Sequence, residues 1–319
     1  MAQDYVLGVD IGGTNTALGL VDRAGRLLAS SVLPTRGKEA APQLFLRLHA
    51  EAARLREGLP GRLRAAGVGA PNAHAGRCTL EHPPNLAWGV VDLKAELAPL
   101  GVPVAATNDA NAAALGELAF GAARGMRDVL VLTLGTGLGC GLVANGALVE
   151  GATGFAGELG HVNAVTNGRP CGCGLKGCLE TYASATGLLR TVREWLEDGA
   201  RPSRLRELPP ERLDARAIAE AADAGDALAQ EAFAFTGELL GRKLADAAAL
   251  TSPEAVFLLG GLAAAGELLF APVRQALEAH LYPPLRGSVK LLASGIPGNA
   301  AVLGAAALAW RQIEGPLPR

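Results

Sequence analysis

Residues 161–178, HVNAVTNGRPCGCGLKGC, place one imidazole and three thiols within eighteen positions. His161, Cys171, Cys173 and Cys178 offer one nitrogen and three sulfur donors, the set that closes a tetrahedral structural zinc site. Gly172, Gly174 and Gly177 let the backbone wrap around an ion. The C-x-C spacing excludes a CxxC redox pair. A closed site leaves no position for a metal-bound water, so hydrolytic metal chemistry is not expected. Cys78 and Cys140 lie in other stretches and read as small buried hydrophobes.

Carboxylates cluster elsewhere. NDANAAALGE, Asn108 to Glu117, follows an apolar strand pattern and opens a helical one. An aspartate at such a junction, Asp109, is either the N-cap of the helix or a general base projecting from a strand end. GELGH contributes Glu158 and His161, and Glu180 follows the thiol cluster. Carboxylates, an asparagine and an imidazole are what a polyol needs, because vicinal hydroxyls donate to carboxylates. Three glycine turns end apolar strands: DIGGTN with Asp10, Gly12, Gly13, Thr14 and Asn15; LGTGLGCG with Thr136 and Gly137; and LLGGLA with Gly260 and Gly261. Glycine lets backbone N–H groups approach a phosphate closely. No Gly-Lys-Ser/Thr follows any of them, so none is a P-loop, and a strand rather than a helix continues the second.

Strand-length apolar runs alternate with alanine-rich helical patterns, the grammar of an α/β fold. Strands are expected at 5–11, 16–22, 26–33, 65–70, 102–107, 128–134, 139–145, 147–151, 255–261 and 288–292. Helices are expected at 42–57, 110–123, 179–197, 215–223, 226–249, 267–280 and 299–312. Each half has a hairpin with a glycine turn after its first strand, which suggests a duplicated architecture with a cleft between two lobes.

At 319 residues, half of them hydrophobic and 19% charged, the chain is sized for one or two folded domains. A net charge of −2 provides no basic field for nucleic acid or an anionic membrane. The 21-residue uncharged stretch Val129–Val149 has the length of a membrane span, but its five glycines favour two strands around a turn. No signal-peptide pattern opens the chain. The expectation is a cytoplasmic protein with no membrane or nucleic-acid partner and with reduced thiols.

The order of the glycine turns resembles the actin-like (ribonuclease H-like) ATPase superfamily of sugar kinases and heat-shock ATPases. With NDANAA, GELGH and CGCGLKGCLE added, the chain resembles the ROK family (repressor, open reading frame, kinase) from Met1 to near its end. PPNLAW and LETYASATG are most similar to its bacterial glucokinase branch. The resemblance implies ATP and magnesium as cofactors, with Asp109 as base, Asp10 orienting magnesium, and Gly12, Gly13, Thr14 and Asn15 around the phosphates. Thr136, Gly137, Gly260 and Gly261 would hold ATP. Asn85, Asn108, Glu158, His161 and Glu180 would bind the hexose. It further implies a small lobe of 1–108 with 301–319, a large lobe of 109–300 carrying the zinc site, and a homodimer or homotetramer. Many relatives have Pro-Gly where this chain has Pro71-Asn72, which leaves the sugar 2-position open.

The expected activity is ATP-dependent phosphorylation of glucose at O6. The alternatives are N-acetylmannosamine, N-acetylglucosamine or fructose as substrate, and, from another class, a sugar-sensing transcriptional regulator. The last would carry a winged helix-turn-helix ahead of DIGGTN, for which nine residues leave no room.

Overall fold

The computed structural model describes residues 4–83, 86–199, 201–296 and 300–315. Its elements begin with strands β1 (Tyr5–Ile11), β2 (Asn15–Asp22) and β3 (Leu27–Pro34), helix α1 (Ala41–Arg56) and strand β4 (Leu63–Gly69). Next come β5 (Ala73–His74), β6 (Thr79–Glu81), β7 (Val90–Asp92), α2 (Leu93–Leu97), β8 (Val104–Thr107) and α3 (Asp109–Phe120). The chain continues through β9 (Val129–Leu134), β10 (Leu138–Ala144), β11 (Ala147–Leu148), α4 (Ala185–Glu197), α5 (Ala215–Asp223) and α6 (Ala227–Thr251). It closes with β12 (Ala255–Leu259), α7 (Glu267–His280), β13 (Lys290–Ala293) and α8 (Ala300–Glu314).

Two compact units result: Met1–Arg127 with Gly141–Ala156 and Ser294–Arg319, and Asp128–Cys140 with Gly157–Ala293. In the first, the sheet order is β3-β2-β1-β4-β8, antiparallel through β1–β3 and parallel from β1 to β4 and β8. Period-two patterning sets its faces. Tyr5, Leu7, Val9 and Ile11 of β1 join Leu44, Phe45 and Leu48 of α1 in one core. Val6 joins Val302, Ala306 and Trp310 of α8 on the other face. Gly8 and Gly67 stand on that second face, where a Cβ would collide with the α8 backbone at Val302 and Ala305.

Within the first unit Gly116 of α3 lies against Gly304 of α8, and the unit's last segment is Ser294–Arg319.

The second sheet has the order β11-β10-β9-β12-β13, with β12 parallel to both β9 and β13. Val129–Val149 is therefore strand and turn, as expected. Among the described residues no helix is long and apolar enough to cross a membrane. The third sheet, β5-β6-β7, and helix α2 were not foreseen; each element is five residues or fewer. The helix expected over 179–197 is split: a 3-10 turn at Leu179–Thr181 precedes α4, which Ser184 caps by accepting from Gly187 N at 3.0 Å.

Candidate active site

Strand register places the acidic groups of the first unit. Asp10 on β1 is level with Gly69 on β4, and Gly69 with Thr107 on β8. Three neighbouring parallel strands thus end together, and their carboxyl ends are where α/β sheets bind ligands. Asn108 and Asp109 emerge from that edge. The N-cap is Asn108, whose Oδ1 accepts from Ala110 N at 2.8 Å. Asp109 is the first helical residue and is not needed as a cap, although its Oδ1 accepts from the same amide at 2.9 Å. Burial pushes the Asp109 carboxyl above its ordinary range, against that amide. Burial, and then the charge of Asp109, push Asp10 up to about 6. Each shift marks a carboxylate held short of water and of counter-charge, which is how functional acids are commonly found.

The first glycine turn is braced by a residue the sequence did not flag. Thr35 Oγ1 donates to the Gly12 carbonyl at 2.8 Å and receives the Thr16 hydroxyl at 2.9 Å. Its backbone N–H donates to the Thr14 carbonyl at 2.8 Å. Gly12 N donates to the Asn15 carbonyl at 2.9 Å, closing the turn, while Gly13, Thr14 and Asn15 remain exposed. No local motif announces Thr35, which acts across 23 positions.

Asn72 departs from the Pro-Gly pattern at φ 57°, the left-handed region that glycine occupies freely and asparagine tolerates. Its Nδ2 donates to the carbonyls of Glu81 and His82 at 3.2 and 3.1 Å. The added amide is thereby engaged with backbone next to β6. Asn85 lies outside the described residues.

The second unit brings the other two glycine turns together. Leu259 of β12 is level with Thr133 of β9. Just beyond them, Gly260 at φ 101° sits where a Cβ would strike the Leu134 backbone, and Leu262 N donates to the Leu134 carbonyl at 3.0 Å. Thr136 and Gly137 therefore share an edge with Gly260 and Gly261. The start of α4 docks on the same turn: Ala185 N donates to the Gly135 carbonyl at 2.9 Å and Thr186 Oγ1 to the Thr136 carbonyl at 2.6 Å. Glu180 Oε2 accepts from Leu138 N at 2.9 Å, and a Cβ on Gly137 would run into that carboxylate.

The thiol cluster stands beside Glu180. The ligand atoms of His161, Cys171, Cys173 and Cys178 all lie within 4.8 Å of one another. Cys173 Sγ and Cys178 Sγ are 3.7 Å apart, and Cys171 Sγ is 3.7 Å from His161 Nδ1. A tetrahedral ion with metal–sulfur bonds of about 2.3 Å sets its sulfurs about 3.8 Å apart, so the four residues fit zinc. The hairpin geometry comes from Cys171 N donating to the Leu175 carbonyl at 2.9 Å and from Gly174 and Gly177 at positive φ. His161 ends a 3-10 turn that Glu158 precedes, and its Nε2 lies 3.9 Å from Glu158 Oε2. Nδ1 thus faces the thiols and Nε2 faces the carboxylate. Cys140 is apart from this group; it is buried, as expected, and burial, then Glu158, push its thiol up to about 12.

Solved relatives share this architecture, and it is the actin-like ATPase fold. The chain belongs to the ROK family, whose family pattern matches residues 6–312. It is 36% identical to a glucokinase of Streptomyces coelicolor over 95% of this chain and 96% of that one. It is 35% identical to a glucokinase of Thermotoga maritima over 97% and 98% of the two chains. The crystal structure of a ROK family glucokinase from Streptomyces griseus, in complex with glucose and AMPPNP, is 36% identical with a TM-score of 0.81, covering 96% of this chain and 99% of that one.

Proposed function

We propose that this protein is an ATP-dependent glucokinase, transferring the γ-phosphoryl group of ATP to O6 of glucose. The observation that carries the reading is the common ending of β1, β4 and β8, which sets Asp10 and Asp109 on one sheet edge. Near-full-length similarity to glucokinases supports the choice of glucose.

In this reading Asp109 accepts the O6 proton as transfer proceeds, a contribution of roughly 10²–10⁴-fold. Its raised carboxyl is the stronger base, provided the pH is high enough to ionise it. Gly12, Gly13, Thr14 and Asn15 receive phosphate oxygens on a turn held by Thr35. Thr136, Gly137, Gly260 and Gly261 take the nucleotide. Asn108, with its oxygen committed to the cap, has its NH₂ left to donate to the sugar. By the family resemblance Glu158, His161, Glu180 and Asn85 are the further sugar ligands. Asp10 would orient a magnesium ion, which would supply charge neutralisation for the transferring phosphates. His161, Cys171, Cys173 and Cys178 would hold a structural zinc, which would fix the orientation of the His161 ring, whose Nδ1 faces the thiols and Nε2 faces Glu158. The lobe division of the kinase follows the two compact units. The same reading places the protein in the cytoplasm as a homodimer or homotetramer.

The test is kcat/KM with ATP on glucose, mannose, fructose, N-acetylglucosamine and N-acetylmannosamine. Glucose should lead the panel. An N-acetylhexosamine ahead of glucose would refute the substrate, and no turnover on any hexose would refute the kinase.

A further inference from the structure

The loop carrying the three thiols is fastened a second time, without metal. Arg169 lies two residues before Cys171 and is 8% exposed. Its backbone N–H donates to the Tyr182 hydroxyl at 2.9 Å, and its guanidinium lies over the Tyr182 ring, 4.4 Å from the centroid. Nε and Nη2 fork onto the Glu194 carboxylate at 3.0 and 2.5 Å. Nη2 also reaches Thr191 Oγ1 at 3.0 Å, and Nη1 donates to the Thr181 carbonyl at 2.7 Å. Burial works against ionised Glu194, but the hydrogen bonds from Arg169 and Arg190 hold its carboxyl below the ordinary range.

These partners share one place in the chain. Thr181 and Tyr182 directly follow Glu180, and Thr191 and Glu194 lie on α4 immediately afterwards. Glu180 is thus bracketed: Cys178, a ligand of the metal cluster, precedes it, and the carbonyl that takes Arg169 Nη1 follows it. Burying a guanidinium is costly, and apolar side chains fill such space as well or better. What an apolar residue cannot do is fix a carboxylate, a hydroxyl and a carbonyl in one plane; the planar fork of arginine can.

We propose that Arg169 is a positioning residue for Glu180, a metal-independent clasp that pins the 179–181 turn to α4 and so keeps the Glu180 carboxylate where a sugar hydroxyl meets it. This rests on Glu180 being a sugar ligand. The clasp and the metal act on opposite ends of one turn. Loss of either loosens it, and loss of the clasp also exposes the metal loop to chelators.

The full-length zinc-loaded protein is tested as Arg169→Lys, Glu194→Gln and Glu180→Gln. Arg169→Lys keeps the charge and loses the fork. It should raise the glucose KM about tenfold with kcat and the ATP KM within about twofold. Its zinc should pass to a colorimetric chelator several times faster than that of the parent. Glu194→Gln, a milder change should the lysine variant not fold, should raise the glucose KM about threefold. An unchanged glucose KM in a folded Arg169 or Glu194 variant overturns the clasp, as does an equal rise in both substrates' KM values. If Glu180→Gln raises the glucose KM while those variants do not, the clasp alone fails. If Glu180→Gln leaves it unchanged, the sugar-ligand reading fails and takes the clasp with it.

Discussion

The Asp10–Asp109 edge and the cysteine loop place their chemistry by opposite means. At the first, regular structure is sufficient: strand register and a helix start position both acids, and the backbone around them is hydrogen-bonded. At the second, eighteen residues hold only a 3-10 turn and two isolated β-bridges, Asn163 with Cys178 and Pro170 with Lys176. That loop is ordered by turn hydrogen bonds, such as Cys171 N to the Leu175 carbonyl and Gly177 N to the Arg169 carbonyl, and by side chains, the four metal-type ligands and Arg169. The acids at the sheet edge are held at a cost to the fold, since each is pushed toward its neutral form. The candidate metal ligands in the loop are part of its local fold. Substitution at the first should lower kcat and spare stability; at the second it should cost stability and raise the glucose KM with kcat little changed.

The largest expected effect lies in the loop. Cys178→Ser, or removal of metal with a chelator, should lower the melting temperature by roughly 5–10 °C, as for loss of about 3 kcal/mol in a chain of this size. Glucose KM should rise with it. A melting temperature indifferent to chelator would end the contrast between the two regions.

The pH dependence sharpens it next. If Asp10 orients magnesium as proposed it must be ionised, so kcat/KM for glucose should fall about tenfold per unit as the pH drops below about 6. A limb near 4 would mean that neither acid is perturbed in solution. Stability follows the opposite sign. An acid raised in the folded chain carries no penalty below the ordinary carboxylate range, gains one as pH rises, and bears it fully above about 6. Asp10→Asn should therefore raise the melting temperature by roughly 5 °C at pH 8 and leave it unchanged at pH 4.

The smallest effect tests the brace under the first glycine turn. Thr35→Val removes the hydroxyl shared by Gly12 and Thr16. It should cost about 1–2 kcal/mol by denaturant titration and raise the ATP KM about threefold, with the glucose KM unchanged.

The same contrast explains what could be read in the sequence. β1, β2, α1, β4 and β9 declare themselves through period and length, and their observed bounds fall within two residues of expectation. Local chemistry also marked the cysteines, because ligand type and spacing survive without knowledge of the fold. Thr35 and Arg169 escaped notice, and the contacts of Asn72 could not be foreseen, because each acts on carbonyls or carboxylates distant in sequence or on a two- to three-residue strand with no period to detect. The extent of the first unit is hard to read from sequence for a related reason. The affiliation of α3 is decided by the approach of Gly116 to Gly304, 188 positions apart, and no pattern inside 109–120 encodes it.

One comparison bears most directly on whether this chain phosphorylates glucose through Asp109: wild type against Asp109→Asn, with turnover followed through a glucose 6-phosphate-specific dehydrogenase and glucose affinity by calorimetry. The account predicts glucose 6-phosphate from the wild type and, in the variant, a glucose Kd within about threefold but a kcat lower by roughly 10²–10⁴-fold. A variant that turns over at near wild-type rate, or a wild type that yields no glucose 6-phosphate, would contradict it.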